Sequence, residues 1–214
     1  MKKLIYIIRH GQTENNKNNI IQGGTVDASL NETGRLQGKA FYEYYKDTPF
    51  ELVYTSKLIR TKQTIQDFLD NGLHHEALTA INELSFGVYD GTKIYPGRDD
   101  DFNQVLKKWE DGDTAIKHEK GQSPEDIVIQ QKEFIERLKT DDFSTALVCM
   151  HGRAMRILVS TLMGTPLKDM KQYEHHNTCL YLFQFDGEKF DLLKRNDITH
   201  LELNQGQEQL IFKK

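Results

Sequence analysis

Two short apolar runs that each stop on a histidine constrain this chain more than any other feature. Leu4 to Ile8 leads into Arg9-His10, and Ala146 to Met150 leads into His151-Gly152. Runs this short fall below the usual helix length and lack polar alternation, so they read as strands buried on both faces. Helical patterns separate them. Buried strands alternating with helices predict an α/β fold, a three-layer α/β/α sandwich with a mostly parallel central sheet. Such sheets open their ligand crevice beyond the carboxyl ends of the strands, where both histidines fall.

The remaining elements follow from spacing and caps. Asn31 is placed to cap a helix with Leu36, Ala40, Phe41 and Tyr44 on its apolar face. Phe50 to Tyr54 reads as a second strand, and Ser56 as the cap of a helix that turns Ile59, Ile65, Phe68 and Leu69 inward. Ser123-Pro124-Glu125-Asp126 combines a cap, a first-turn proline and acidic residues, and opens a helix with Ile127, Phe134, Ile135 and Leu138 buried. A helix carrying Ile157, Leu158 and Leu162 starts directly after His151-Gly152. Cys179 to Phe185 and Lys189 to Lys194, joined through Asp186-Gly187, form a hairpin closing the sheet. No break in composition divides the 214 residues, so one domain spanning 1–214 is expected, with the polar tail beyond Asn204 loosely held.

Charge and composition narrow the function. With 28 Lys+Arg against 32 Asp+Glu the formal net charge is −4, which argues against a partner that is nucleic acid or an anionic membrane. An anionic ligand therefore needs a local cluster of cations. The apolar start is too short for a signal peptide and no long apolar stretch follows, so no membrane span is expected. Cys149 and Cys179 match neither a zinc ribbon nor a redox pair, which fits a reducing, cytoplasmic setting, with Cys149 a small core residue. His74-His75 and His175-His176 are adjacent pairs that diverge on any regular element, so surface or packing roles are expected and no metal is assigned. No Gly-rich loop followed by Lys-Ser/Thr supports nucleotide triphosphate binding, and no cofactor is expected. Trp109, beside Lys107 and Lys108, is read as a core or pocket residue.

An isolated Arg-His pair at a strand end is ordinarily solvated. Here a second arginine, Arg60, lies one turn into the helix after the second strand. Two guanidiniums, two imidazoles and helix-start N–H groups around one crevice suit a dianionic phosphoryl group. An imidazole held by a backbone carbonyl through one nitrogen presents the other as a neutral nucleophile that needs no metal.

Arg9-His10-Gly11-Gln12-Thr13-Glu14-Asn15-Asn16 resembles the Arg-His-Gly-x-Thr-x-x-Asn signature of the histidine phosphatase superfamily, in its phosphoglycerate-mutase-like branch. Gln22-Gly23, Leu30 to Gly34, Tyr54 to Thr64, Glu83 to Gly91, Gly121 to Ser123 and His151 to Arg156 are similar to its later landmarks, in family order. The resemblance implies His10 as nucleophile, Arg9, Arg60 and His151 as phosphate clamp, Asn16 as a further hydrogen-bond donor and Glu83 as proton donor to the leaving oxygen. Gln22 and Gly23 would face the substrate, a small phosphorylated metabolite, and the oligomeric state is left open. Glu83 is followed by Leu84-Ser85-Phe86-Gly87, where cofactor-dependent mutases carry Arg-x-Tyr-Gly, which favours a phosphatase over a phosphoglycerate mutase. Retention of both nucleophile and acid argues against a mere phospho-ligand-binding module. Gly24 to Asp27 carries one residue more than the family loop, and Ala28-Ser29-Leu30 lacks its common proline. The polar segment 92–122 exceeds an ordinary connection and is expected to form a lid. Its Arg98, Lys107, Lys108 and Lys117 would attract a second anion, and its Asp99-Asp100-Asp101 would repel one.

Overall fold

The computed structural model describes residues 2–93 and 100–202. The chain runs through β1 (Lys3–Arg9), α1 (Glu14–Lys17), α2 (Glu32–Tyr45), β2 (Leu52–Thr55), α3 (Ile59–Thr64), α4 (Gln66–Asp70) and β3 (His74–Ala77). Further along the chain come α5 (Asp100–Asp111), α6 (Pro124–Thr140), β4 (Thr145–Met150), α7 (Gly152–Met163), β5 (Leu180–Phe185), β6 (Phe190–Asp197) and α8 (Thr199–Glu202). Among the described residues the strands form one six-stranded sheet in the order β3-β2-β4-β1-β5-β6. Pairings β3-β2, β2-β4 and β4-β1 are parallel, while β5 runs antiparallel to both β1 and β6.

Alternate side chains of the central strands feed two cores, as the period of a strand requires. Ile5, Ile7, Ala146, Val148 and Met150 pack with α6 and α7 through Ile127, Phe134, Ile157 and Leu158. Ile8, Val53, Leu147 and Cys149 face the other way, onto Phe41, Tyr45 and Phe68 of α2 and α4. The three-layer sandwich follows from this division.

Asn31 caps α2 by accepting from Gly34 N at 2.9 Å, and Ala40 and Phe41 are buried as expected, joined by Gln37 and Tyr45, while Leu36 is half-buried and Tyr44 is exposed. Gly34 and Gly38 let the helix backbone close on residues 12 and 64, which brings Gln37 between them into the buried face. Ser123 and Asp126 form a reciprocal capping box at α6, with Pro124 in the first turn. The single helix expected after Ser56 is two short ones, separated at Ile65 and started by Leu58 without a side-chain cap. Strand β3 has no apolar run to announce it. As an edge strand its side chains stay partly exposed, and only backbone pairing to β2 defines it. The hairpin turns at Asp186-Gly187, where Gly187 adopts φ 111°. The tail beyond Asn204, and Arg98 and Asp99 of the expected lid, lie outside the described residues. No described helix is long and apolar enough to cross a membrane.

Candidate active site

Parallel register brings the reactive side chains together. Arg9 pairs with Met150 and Thr55 with Cys149, so β1, β4 and β2 release their next residues, His10, His151 and Ser56, at the same edge. The rings of His10 and His151 stand 5.2 Å apart. On α3, fully buried Arg60 donates from Nε to His151 Nδ1 at 3.1 Å and from Nη1 to the Val26 carbonyl at 2.6 Å. His151 must therefore carry its proton on Nε2, which donates to Ser56 Oγ at 2.7 Å. The extended Gly24 to Asp27 loop thus supplies an anchor for Arg60, and Asp27 Oδ1 also accepts from Ile59 N at the start of α3. Arg9 reaches across to the His175 carbonyl at 2.7 Å through Nη1. Arg9 Nε and Arg60 Nη2 are buried without a hydrogen-bond partner among the described residues.

His10 is 2% exposed, and its Nδ1 donates to the Gly11 carbonyl at 2.7 Å, which leaves the lone pair on Nε2. Burial, reinforced by the charges of Arg60 and Arg9, holds this imidazole well below its ordinary protonation range. The same causes keep His151 neutral. Gly11 is required by packing. A Cβ there would lie 2.4 Å from the Gly34 carbonyl oxygen, so the missing side chain lets the catalytic loop sit on the start of α2.

Glu83 is buried, and its carboxylate occupies the start of α7. Oε1 accepts from Ala154 N at 2.8 Å and Leu84 N at 2.9 Å, and Oε2 accepts from Arg153 N at 3.0 Å. The helix-start N–H groups expected to cradle the phosphate are in part committed to Glu83, which acts as a long-range cap in place of the side chain that His151 does not supply.

A cavity of about 250 Å³ opens over this edge, lined by Arg9, His10, Asn16, Gln22 and Glu83. Asn16 is fixed because its Oδ1 accepts from Thr13 N at 3.2 Å in a capping box, and Gln22 donates to Thr13 Oγ1 at 2.9 Å. Arg60 and His151 lie beneath the cavity and outside its lining. Gly23 is packed against the Asp90 carboxylate and does not reach the lining. Four further residues were given no site role by the sequence reading. His175, expected at the surface or in packing, lines the cavity and is pushed down to about 2 by burial and by Arg9. Its position depends on the loop before β5, which leaves no local pattern. Arg153 and the α5 residues Phe102 and Leu106 complete the wall. Arg153 stood inside the second histidine motif, and only the packing of α5 reveals that it faces a cavity. Among the described residues no group of three or more His, Cys, Asp or Glu is arranged to hold a metal.

This fold is shared with known proteins. Residues 5–198 match the histidine phosphatase superfamily (branch 1), and the chain belongs to that family. It is similar to a Hydrogenobacter thermophilus protein named "Putative phosphoserine phosphatase 2", 25% identical over 201 residues, which cover 92% of this chain and 97% of that one. A Photorhabdus laumondii protein named "Probable phosphoglycerate mutase GpmB" is 26% identical over 209 residues, 92% of this chain and 94% of its own. Among solved structures, a phosphoserine phosphatase mutant from Entamoeba histolytica in complex with phosphoserine shares the fold, with TM-score 0.81, 24% identity, and coverage of 93% of this chain and 99% of that one.

Proposed function

We propose that the protein hydrolyses phosphomonoesters of small phosphorylated metabolites in two in-line steps through a phosphohistidine on His10. The observation that carries this reading is the pair of buried guanidinium N–H groups without a partner among the described residues, Arg9 Nε and Arg60 Nη2, beside a neutral imidazole whose free nitrogen is Nε2. A buried donor left unpaired costs about 1–3 kcal/mol, and more when charged. An incoming phosphoryl dianion would satisfy both.

In the first step His10 Nε2 attacks phosphorus, the P–N bond forms and the P–O bond to the leaving group breaks. Arg9 and Arg60 take up the charge on the equatorial oxygens. The leaving oxygen takes its proton from Glu83, whose Oε2 has a single partner among the described residues and so retains a site for it. In the second step Glu83 removes a proton from water, the water oxygen attacks phosphorus, and the P–N bond breaks to release phosphate and free His10. His151 has both nitrogens engaged by Arg60 and Ser56, so it acts by orienting Arg60. A direct bond from His151 to the phosphate would require giving up Ser56.

The segment 92–122 acts as a lid in this reading, supported by Phe102 and Leu106 of α5 standing in the wall of the His10 cavity. A mutase outcome, in which phospho-His10 returns the group to the product before water arrives, is the second reading, favoured by the mutase-named relative. Measuring hydrolysis of 4-nitrophenyl phosphate without added divalent ion, wild type beside His10→Ala, tests the main reading. Turnover that is lost in the variant and indifferent to chelators is expected. Equal rates would sink the assignment.

A further inference from the structure

The reaction above uses Arg9 and Arg60 and leaves one cation at the cavity wall without employment. Arg153, the second residue of α7, lines the 250 Å³ cavity beside His10 and also a neighbouring cavity of about 330 Å³, the two meeting at Leu106 and Arg153. Its backbone N–H belongs to Glu83, but its guanidinium has neither a hydrogen bond nor an ion pair among the described residues. Its one contact of note is the face of Trp109, with Cζ 5.5 Å from the ring centroid. Trp109 is 1% exposed and locked by a 2.7 Å bond from Nε1 to the Ile116 carbonyl, so it is a rigid platform.

The other cations around these cavities are already committed or solvated. Arg156 Nε donates to the Tyr173 carbonyl at 2.8 Å, Lys107 pairs with Asp111 at 2.6 Å and Lys171 with Glu110 at 2.9 Å, while Lys168 is exposed. Lys117, one of the lid cations, pairs with Asp126 and lies outside both linings. A guanidinium stacked on an aromatic face keeps its N–H edges free and pre-oriented, the arrangement that receives a carboxylate or phosphate through two parallel bonds.

Building on the phosphatase reading, we propose that Arg153, held on Trp109, is a second anion subsite that selects small phosphate esters bearing another anionic group. The transferred phosphoryl group sits at His10 and the second anion at Arg153. The cavity of about 250 Å³ meets its neighbour of about 330 Å³ at Leu106 and Arg153, so a ligand anchored at His10 has room to extend to Arg153. The cations named in the lid sequence are not needed, because the selecting charge comes from α7 and the lid contributes the aromatic platform.

The test measures binding in the absence of turnover, by titration calorimetry on the His10→Ala protein. 3-Phosphoglycerate against glycerol 3-phosphate probes a carboxylate, and fructose 1,6-bisphosphate against fructose 6-phosphate probes a second phosphate. At least one doubly anionic probe should bind tenfold or more tightly than its partner, and the pair that shows it identifies the second group. Adding Arg153→Met should bring that ratio within about twofold, and Arg153→Lys should retain part of it. The lysine variant keeps the question answerable if methionine unfolds the protein. Ratios near one in both pairs, or a preference that survives Arg153→Met, would overturn the subsite. Loss of the phosphatase reading would show separately, as His10-independent turnover of the aryl phosphate, and would leave these binding ratios unaffected.

Discussion

Arg60 is positioned by two unlike partners, the His151 ring and the Val26 carbonyl, and presents its remaining nitrogen, Nη2, to the site. Arg60→Ala should lower kcat/KM by about 10²–10³-fold, the usual cost of removing one transition-state donor. Arg60→Lys should recover little, because an ammonium cannot serve three directions in one plane. Steady-state kinetics on 4-nitrophenyl phosphate checks both. Glu83 has two duties in this structure, and they separate by measurement. Glu83→Gln should impair alkyl phosphates more than aryl phosphates, whose leaving oxygen needs no proton. It should also lower stability by about 0.5–2 kcal/mol, since an amide offers one acceptor oxygen to the α7 amides where the carboxylate offers two. Equal kinetic losses on both ester types would contradict the acid role. The motifs made His10, Arg9, Arg60, Glu83 and His151 legible as a group. The capping of α7 by Glu83 was not legible, because it joins residues 70 positions apart through a contact that no local pattern encodes.

At the scale of elements, the strand ends were readable and the packing of the polar segment 92–122 was not. Uniform apolar runs define β1 and β4 because both faces are buried. The edge strand β3 is partly exposed and escaped for the same physical reason. The polar segment 92–122 was expected to form a lid, yet α5 also sends Trp109 and Phe102 into the main core, and the His118 ring stacks on Phe102 at 4.8 Å. Trp109→Ala should therefore cost about 3–5 kcal/mol, seen as a lowered urea midpoint, so wholesale replacement of the segment would test stability more than selectivity. Leu106→Ala is the sharper probe of a lid. It trims a partly buried side chain shared by both cavities. It should change kcat/KM for metabolite-sized esters relative to one another by more than it changes aryl phosphate hydrolysis. One common factor for every substrate would reject the lid.

For the molecule as a whole, several histidines are buried neutral, and this sets its response to acid. His10 and His151 lie well below their ordinary range, His200 is lowered to about 4 and His175 to about 2, each mainly by burial. In the unfolded chain all four titrate near 6.5, so below that pH the unfolded state binds more protons and stability falls. The decline should run from about pH 6.5 to 4, at up to about 1.4 kcal/mol per pH unit for each histidine that stays neutral in the fold. A urea midpoint that is flat across this window would contradict it. The same lowering predicts that kcat/KM shows no acid limb near pH 6.5 arising from His10. Most direct of all is the fate of the phosphoryl group itself. Rapid quenching into alkali during turnover, followed by peptide mass spectrometry, should find a base-stable, acid-labile phosphoryl group on His10 and none in His10→Ala. Full turnover with no phosphorylated enzyme at any quench time, or with the group on another residue, would contradict the account.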